Sequence, residues 1–527
     1  MKKSIYKTIA IAGFLLIFSS CFKDLDTVPI DPDQVTAASV YDDPASYKQV
    51  LAKLYAGLAV SGQEGPHGMG DISGIDEGFG QYLRGYWYHQ ELTTDEAVIS
   101  WDDQTIKDLH WQTWGSSDVF ITAFYYRIFY QISLCNEFIR ETTDEKLDDR
   151  GVSGTLRTNI GFYRAEARFL RALSYWHALD LFGNVPFVTE EDEVGMFFPE
   201  QIQRPALYAY IEGELKAIEG LMIDAMQNEY GRADKAGVWM LLAKLYLNAE
   251  VYIGQAKYTE CLTYCNKIIN AGYSIQPSYQ HLFLADNAFL NEVIFPVNFD
   301  GIHTRTWGGT TFIIHAGVGG SMEPADFGID GGWGGTRTTS AFVNMFDDIS
   351  GNTDSRAMFY TDEQNLEIDD ISMFTDGYAI TKFKNITSTG APGSDLTFPD
   401  TDFPMFRLAD VYLMYAEAVL RGGTGGDVGT ALDYVNALRQ RAYGDNSGNV
   451  SQIDLQFILD ERARELYWEC HRRTDLVRSN KFTGGEYLWP WKGNVKEGTA
   501  TNNKYNLFPI PASDLTANPN LIQNPGY

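Results

Sequence analysis

Cysteine is scarce: five in 527 residues, too few and too scattered for a disulfide framework to set the fold. Cys261 and Cys265 lie four apart on what reads as one helix, but no histidine or second cysteine pair stands near enough to complete a metal clip. With Cys135 and Cys470 they read as buried, inert thiols. Positive charge is short as well. Forty-one Lys and Arg face 70 Asp and Glu, for a formal net charge of −29, and no basic stripe offsets the excess. Such a surface repels phosphates, which excludes nucleic acid and leaves neutral ligands as the natural partners. The chain also lacks a Gly-x-Ser-x-Gly elbow, a His-Glu-x-x-His helix and a phosphate-binding Gly-Lys loop, which removes the commonest nucleophile, zinc and nucleotide chemistries. Its Asp-rich stretches match no known calcium-loop spacing. No cofactor or metal is expected, with calcium left open. No low-complexity linker divides the chain, and 44% hydrophobic with 14% aromatic residues can fill one large core.

At the N-terminus, Lys2, Lys3 and Lys7 precede an apolar run from Ile9 to Phe18, followed by Ser19, Ser20 and Cys21. A basic start, a short apolar stretch and small residues are the parts of a secretory signal peptide over residues 1–20. The run is too short for the roughly 20 residues a membrane-spanning helix needs. Cleavage before Cys21 would free its thiol for lipid attachment, and several acyl chains together anchor a protein stably. The pattern resembles a bacterial lipobox, with Phe18 where Leu is commonest. The following Lys23-Asp24-Leu25-Asp26 resembles the surface-export signal of Bacteroidetes lipoproteins. Both resemblances imply an outer-membrane protein, lipid-anchored and facing the cell exterior.

Helical hairpins dominate the rest. "GVWMLLAKLYLNAE" sets Trp239, Leu242, Ala243 and Tyr246 on one face, followed by a second helix carrying Tyr258, Cys261, Tyr264 and Ile268. The order Trp-x-x-Leu-Ala-x-x-Tyr follows the tetratricopeptide signature. "RLADVYLMYAEAVL" repeats the offsets with Leu408, Val411 and Tyr415, and its partner begins near Gly429. "FITAFYYRIFYQISLCNEFI" and "GFYRAEARFLRALSYWHALDLFG" form another pair, the second ending in a Gly183 cap and a Pro186 turn. A last helix is expected from about Leu455 to Val477. Each hairpin buries a face only against a neighbour, so the pairs predict a mainly α, right-handed scaffold. Helices are expected over about 36–60, 118–271 and 405–480. Residues 61–117 and 272–404, rich in Gly, Trp, Asp and Thr, should be loops with short helices and small strands.

The stretches "YRAEARFLRALSYWHALDLFGNVPFV", "RLADVYLMYAEA", "YVNALRQRAY", "ILDERARELYWECHRRTDLVR" and "NLFPIPASDLTANPNLIQNPGY" together resemble the SusD/RagB family, from Cys21 to the C-terminus. The resemblance implies a single domain over 21–527 that binds a polysaccharide or oligosaccharide and caps a SusC-like TonB-dependent transporter. The motifs themselves read as structural. In "DERARELYWECHRRTDLVR" alternating acids and arginines suggest salt bridges three and four apart, each worth a few tenths of a kcal/mol. Asp460, Glu461, Glu465 and His471 are not taken as catalytic. The proline-rich ending reads as an ordered tail laid over the scaffold.

A neutral glycan presents hydroxyls and weakly apolar ring faces, so its site needs exposed aromatic platforms beside planar hydrogen-bonding groups. Residues 71–114 supply Asp71, Tyr82, Arg84, Trp87, Trp101, Asp103, Gln104, Trp111 and Trp114; "HTRTWGGTTF" and "GGWGGTRTT" add Arg305, Trp307, Trp333 and Arg337. The glycines leave both tryptophan faces uncovered. By resemblance to SusD-like starch binders, Asp71, Arg84, Trp101, Trp307 and Trp333 are expected to hold carbohydrate, with Asp103 and Gln104 as hydrogen-bonding neighbours. Trp111 and Trp114 read as core, while Trp87 and Tyr88 fit either role. Two alternatives remain. One is an interaction protein that stabilises or gates its transporter with little sugar affinity. The other is a glycoside hydrolase with a carboxylate pair drawn from Glu91, Asp95, Glu96, Asp102 and Asp103, although acids are too abundant here for their proximity to carry weight.

Overall fold

The computed structural model describes residues 40–527; the expected signal peptide, Cys21 and the charged stretch after it lie outside the described residues. The chain divides into two compact units after Tyr47. In the first, the rings of Tyr41 and Tyr47 lie 5.1 Å apart. The second, Lys48–Tyr527, holds the helical stack and the loop-rich segments.

The expected hairpins form and stack in sequence. Val119–Glu141 packs on Gly154–Leu181, which packs on Arg204–Glu219; Lys235–Leu247 pairs with Tyr258–Ile269, and that helix meets Leu408–Leu420, which carries Val428–Tyr443 and Leu455–Leu466 on its other sides. Local chemistry sets the starts. Asp118, Asp234, Asp427 and Asp454 each accept backbone N–H groups from the first turn that follows them. Gly183, at φ 74°, ends the 28-residue helix in the left-handed region. Trp239 departs from its expected place: it is half-buried, its Nε1 donating to Glu219 at 2.7 Å. The rest of that helix is buried nearly all round because neighbours cover it on several sides.

One expectation fails and another is exceeded for one physical reason. The helix expected over Leu455–Val477 is two helices, Leu455–Leu466 and Arg472–Arg478. Between them Trp468 and Cys470 take φ of 63° and 67°, and distant acids replace the missing helical hydrogen bonds. Glu91 Oε1 accepts from the N–H groups of Cys470 and His471, and Glu96 Oε2 from that of Trp468. The alternating charges of this segment do pair at spacing three, Glu461 with Arg464 and Asp475 with Arg478, but they also reach partners far along the chain and are buried. Arg407 binds Glu292, Glu465 and Glu469; Arg356 binds Asp354, Glu461 and Glu465; Arg462 joins Asp410 to Asp475. These groups are nearly all fully buried, so removing one partner would cost far more than a surface pair does.

The loop-rich segments are tied down by two-stranded antiparallel ladders, Val98–Ile99 with Thr336–Arg337, Val293–Val297 with Phe403–Arg407, and Phe359–Tyr360 with Ala379–Ile380, while Val185–Pro186 with Gln201–Ile202 joins two ends of a loop between scaffold helices. Residues 61–117 mix loops with short helices and a small strand. They contain the helix Tyr82–Gln90, capped by Gln81 and buried along its whole length against Val119–Glu141. The C-terminal tail is ordered. Phe508 N–H donates to Leu181 O, buried Asn524 reaches the carbonyls of Phe182 and Phe508, and Tyr527 accepts from Trp114 Nε1 at 2.7 Å. Among the described residues, no helix is long and apolar enough to cross a membrane. Cys135, Cys261, Cys265 and Cys470 are free and buried.

Candidate functional site

The site begins with the short ladder between Val98–Ile99 and Thr336–Arg337. Ser100 extends it, its N–H donating to Gly335 O at 2.9 Å and its Oγ to Gly334 O at 2.6 Å. This lacing brings Trp101 and Trp333, at the ends of the two loops, side by side. Their rings lie 6.3 Å apart, and Trp101 Nε1 donates to Trp333 O at 3.2 Å. Trp307 stands 6.1 Å beyond Trp333. Three half-buried indoles therefore form an arc.

Buried groups hold the arc from behind. His315 stacks on Trp333 at 4.8 Å, and Phe398 packs on Trp307 at 4.9 Å. Glu77 accepts the Trp307 N–H at 3.0 Å. Arg84 is buried by side chain yet reaches the same space. Its guanidinium lies over Phe79 at 4.1 Å and Phe312 at 4.4 Å, with Nε donating to Tyr88 Oη and Nη1 to Trp307 O. Burial pushes the Tyr88 phenol up to about 12, so it stays uncharged beside that cation. Arg84 Nη2 has no hydrogen-bond partner among the described residues.

These side chains, with Asp76, Phe79 and the exposed Asp103, border an open concavity of about 520 Å³. Flat apolar faces, two carboxylates and one guanidinium edge suit a pyranose ring and its hydroxyls. Glycines shape the concavity differently than expected. A Cβ at Gly335 would sit 2.6 Å from the Trp101 ring, and one at Gly332 would sit 2.3 Å from Val318 O. They permit close backbone approach rather than merely uncovering the indoles.

Not every expected residue gathers here. Asp71 lies outside the concavity and pairs with Arg127 at 3.3 Å. Gln104 is exposed at φ 46° and also does not border it. Trp87 and Tyr88 are core: Trp87 meets Trp468 edge-on at 5.2 Å. Trp114 is core, whereas Trp111 is half-buried against Val98, Ile368 and Ile371. Arg337 is wholly buried and donates to the carbonyls of Asp376 and Ile371, while Arg305 lies on Phe398. Sequence reasoning misses Asp76 and Phe79. Gly78 and Gly80 flank Phe79 as glycines flank Trp333, and that pattern is the available signal.

Of the acids weighed as a hydrolytic pair, Asp103 alone borders the concavity and the other four are used elsewhere. Glu91, Asp95 and Glu96 are buried, serving the interruption between the two helices at 467–471 and Arg472. Asp102 pairs with Lys107.

The profile of the SusD family matches residues 347–527. The starch-binding protein SusD of Bacteroides thetaiotaomicron is 37% identical over the whole of both chains. The chain belongs to the SusD family. SusD-like protein P25 of Formosa agariphila is 27% identical over 69% of this chain and 73% of its own. Among solved structures, surface glycan-binding protein A of Bacteroides thetaiotaomicron in complex with laminarihexaose matches with a TM-score of 0.68 at 20% identity. That match covers 91% of this chain and 99% of the other. A SusD superfamily protein from Parabacteroides distasonis matches at 0.70 and 22% identity over 94% and 100%. At these identities the structural matches speak for the mainly helical SusD fold.

Proposed function

We propose that this SusD-family protein captures a neutral polysaccharide or oligosaccharide at the cell surface and delivers it to a SusC-like TonB-dependent transporter. The observation that carries the reading is the arc of Trp101, Trp333 and Trp307, with Asp76, Asp103 and Arg84 at its edge. Sugar rings stack on the indoles while hydroxyls bond the charged side chains. A starch-binding relative of equal extent and a structural neighbour holding laminarihexaose fit the same ligand class. An open site buries few contacts and a flexible chain loses entropy on binding, so affinity per site is modest and repeats along a polymer compensate. Catalysis is not part of the reading, since Glu91, Asp95 and Glu96 are held in the core. Tethering through a lipid on Cys21, with the helical stack against the transporter, completes it.

Native affinity electrophoresis in gels containing starch, laminarin, fructan, pectin or mucin tests it. The wild type should be retarded by at least one polysaccharide and Trp101→Ala clearly less by the same one. Equal retardation of the two, or release of reducing ends by the purified protein, overturns the reading.

A further inference from the structure

A second aromatic surface lies away from the arc, where the turn at 286–291 meets the segment 226–234. Phe289 is 77% exposed, yet its ring is not free: it stacks on Tyr230 at 4.3 Å with 35° between the planes. Tyr230 is fixed in turn, its hydroxyl donating to the Asp402 carboxylate at 2.6 Å. Phe289 holds this pose with φ at 64°, a region that bulky side chains avoid. Met226, 38% exposed and at φ 63°, borders the same hollow. Backbone held in a disfavoured region to keep a large apolar ring in water costs stability, and such strain gathers where it serves a ligand.

The hollow measures about 210 Å³ and shares no lining residue with the tryptophan concavity. Its rim carries the polar side chains a sugar needs. Asn291 is exposed and makes no side-chain hydrogen bond among the described residues, and Glu229, more than half exposed, is held by Lys48 at 2.8 Å and Arg232 at 3.2 Å, while the Asn228 amide is used within its own turn, donating to Ala233 O and accepting the Glu229 N–H. One apolar ring with a fixed underside, bordered by an amide and a carboxylate, repeats in small the chemistry of the arc.

We infer that Phe289 on Tyr230, with Asn291 and Glu229, forms a second glycan-binding site that stacks one sugar ring independently of the tryptophan arc. The inference takes its ligand class from the proposed function, but the two sites fail separately. The test uses the full chain in native gels containing amylopectin, laminarin, levan, pectin or mucin. Wild type, Trp101→Ala/Trp333→Ala, Phe289→Ala, Phe289→Gly and the combined variants are compared, each with its Tm. The double tryptophan variant should keep part of the wild-type retardation, and adding Phe289→Ala should bring it down to the mobility of a non-binding control protein. Phe289→Gly removes the ring while relaxing the left-handed backbone, so its Tm should equal or exceed that of the wild type as retardation falls. Complete loss of retardation in the double tryptophan variant overturns the second site and leaves the arc standing. Retardation untouched by the tryptophan changes but abolished at Phe289 overturns the arc and leaves this site. Failure of the wild type in all five gels overturns both.

Discussion

Asp95 and Arg472 meet as a bidentate pair, 377 residues apart in sequence: Nε to Oδ1 and Nη2 to Oδ2 are both 2.8 Å. Tyr487 Oη adds a third donor to the same carboxylate at 2.6 Å. The pair joins the segment leading to Trp101 to the final helices of the stack. Both charged side chains are buried, so Asp95→Ala would leave the guanidinium with only the longer 3.6 Å contact to Glu96 and should lower unfolding free energy by about 3–5 kcal/mol. Asp95→Leu/Arg472→Met should lose less than the single Asp95→Ala change, because no buried charge is left unpaired. Urea unfolding of the three proteins checks the order.

Stability should depend on pH in two windows of opposite sign. Burial pushes the Glu91 carboxyl up to about 7 and raises its neighbour Glu96 well above the ordinary range. The Glu91 contribution is full below the unfolded value of about 4.3 and is lost as pH rises through about 7, and Glu96 carries the same sign of dependence upward from the ordinary range. Glu417 and Glu465 behave oppositely. Although burial alone would raise them, Arg478 beside the first and Arg441 beside the second hold both at about 2. Their contribution is present above about 4.3 and is lost as pH falls toward 2. Denaturant midpoints from about pH 2 to 8.5 should trace both limbs. Glu91→Gln should flatten the limb between about pH 5 and 7.5 without moving the acid limb.

Legibility in the sequence tracks the range of the interactions. Helix pairs such as Lys235–Leu247 with Tyr258–Ile269 declare themselves because apolar spacing and partner lie within a few turns. Trp333 declares itself through its flanking glycines. The break at 467–471 cannot be read, because it depends on Glu91 and Glu96 from the other end of the chain. Trp87 and Trp101 look alike in sequence. They part ways only because Trp87 sits on a helix covered by Phe312 and Trp468, whereas Trp101 lies just past the strand Val98–Ile99, in a loop that leaves it half-buried. Asp71 is misplaced by sequence reasoning because Arg127, which holds it, is supplied by a helix 56 residues onward.

Location and binding should separate. Cys21→Ala removes the proposed lipid site and leaves every residue of the concavity unchanged. The variant should appear in the soluble or misrouted fraction while its retardation in polysaccharide gels equals that of the wild type. Equal loss of both properties would count against Cys21 as a tether alone.

Shape in the arc should matter as much as the indoles themselves. Gly335 has no left-handed φ to protect, and its two backbone hydrogen bonds, to Ala316 O and from Ser100 N–H, would survive an alanine. Its added methyl, however, would lie 2.6 Å from the Trp101 ring. The ring must swing away or the Ser100–Gly335 seam must part. Gly335→Ala should therefore cost about 1–3 kcal/mol, the usual penalty of overpacking. It should also weaken glycan binding about tenfold, near 1.4 kcal/mol, approaching the loss in Trp101→Ala. Gly331→Ala is the matched control, since its methyl would meet nothing within 4 Å. Calorimetry on a glycan the wild type binds, with Tm for each protein, separates the cases. Normal affinity in Gly335→Ala would mean that the arc tolerates a displaced Trp101 and that stacking at that ring contributes little.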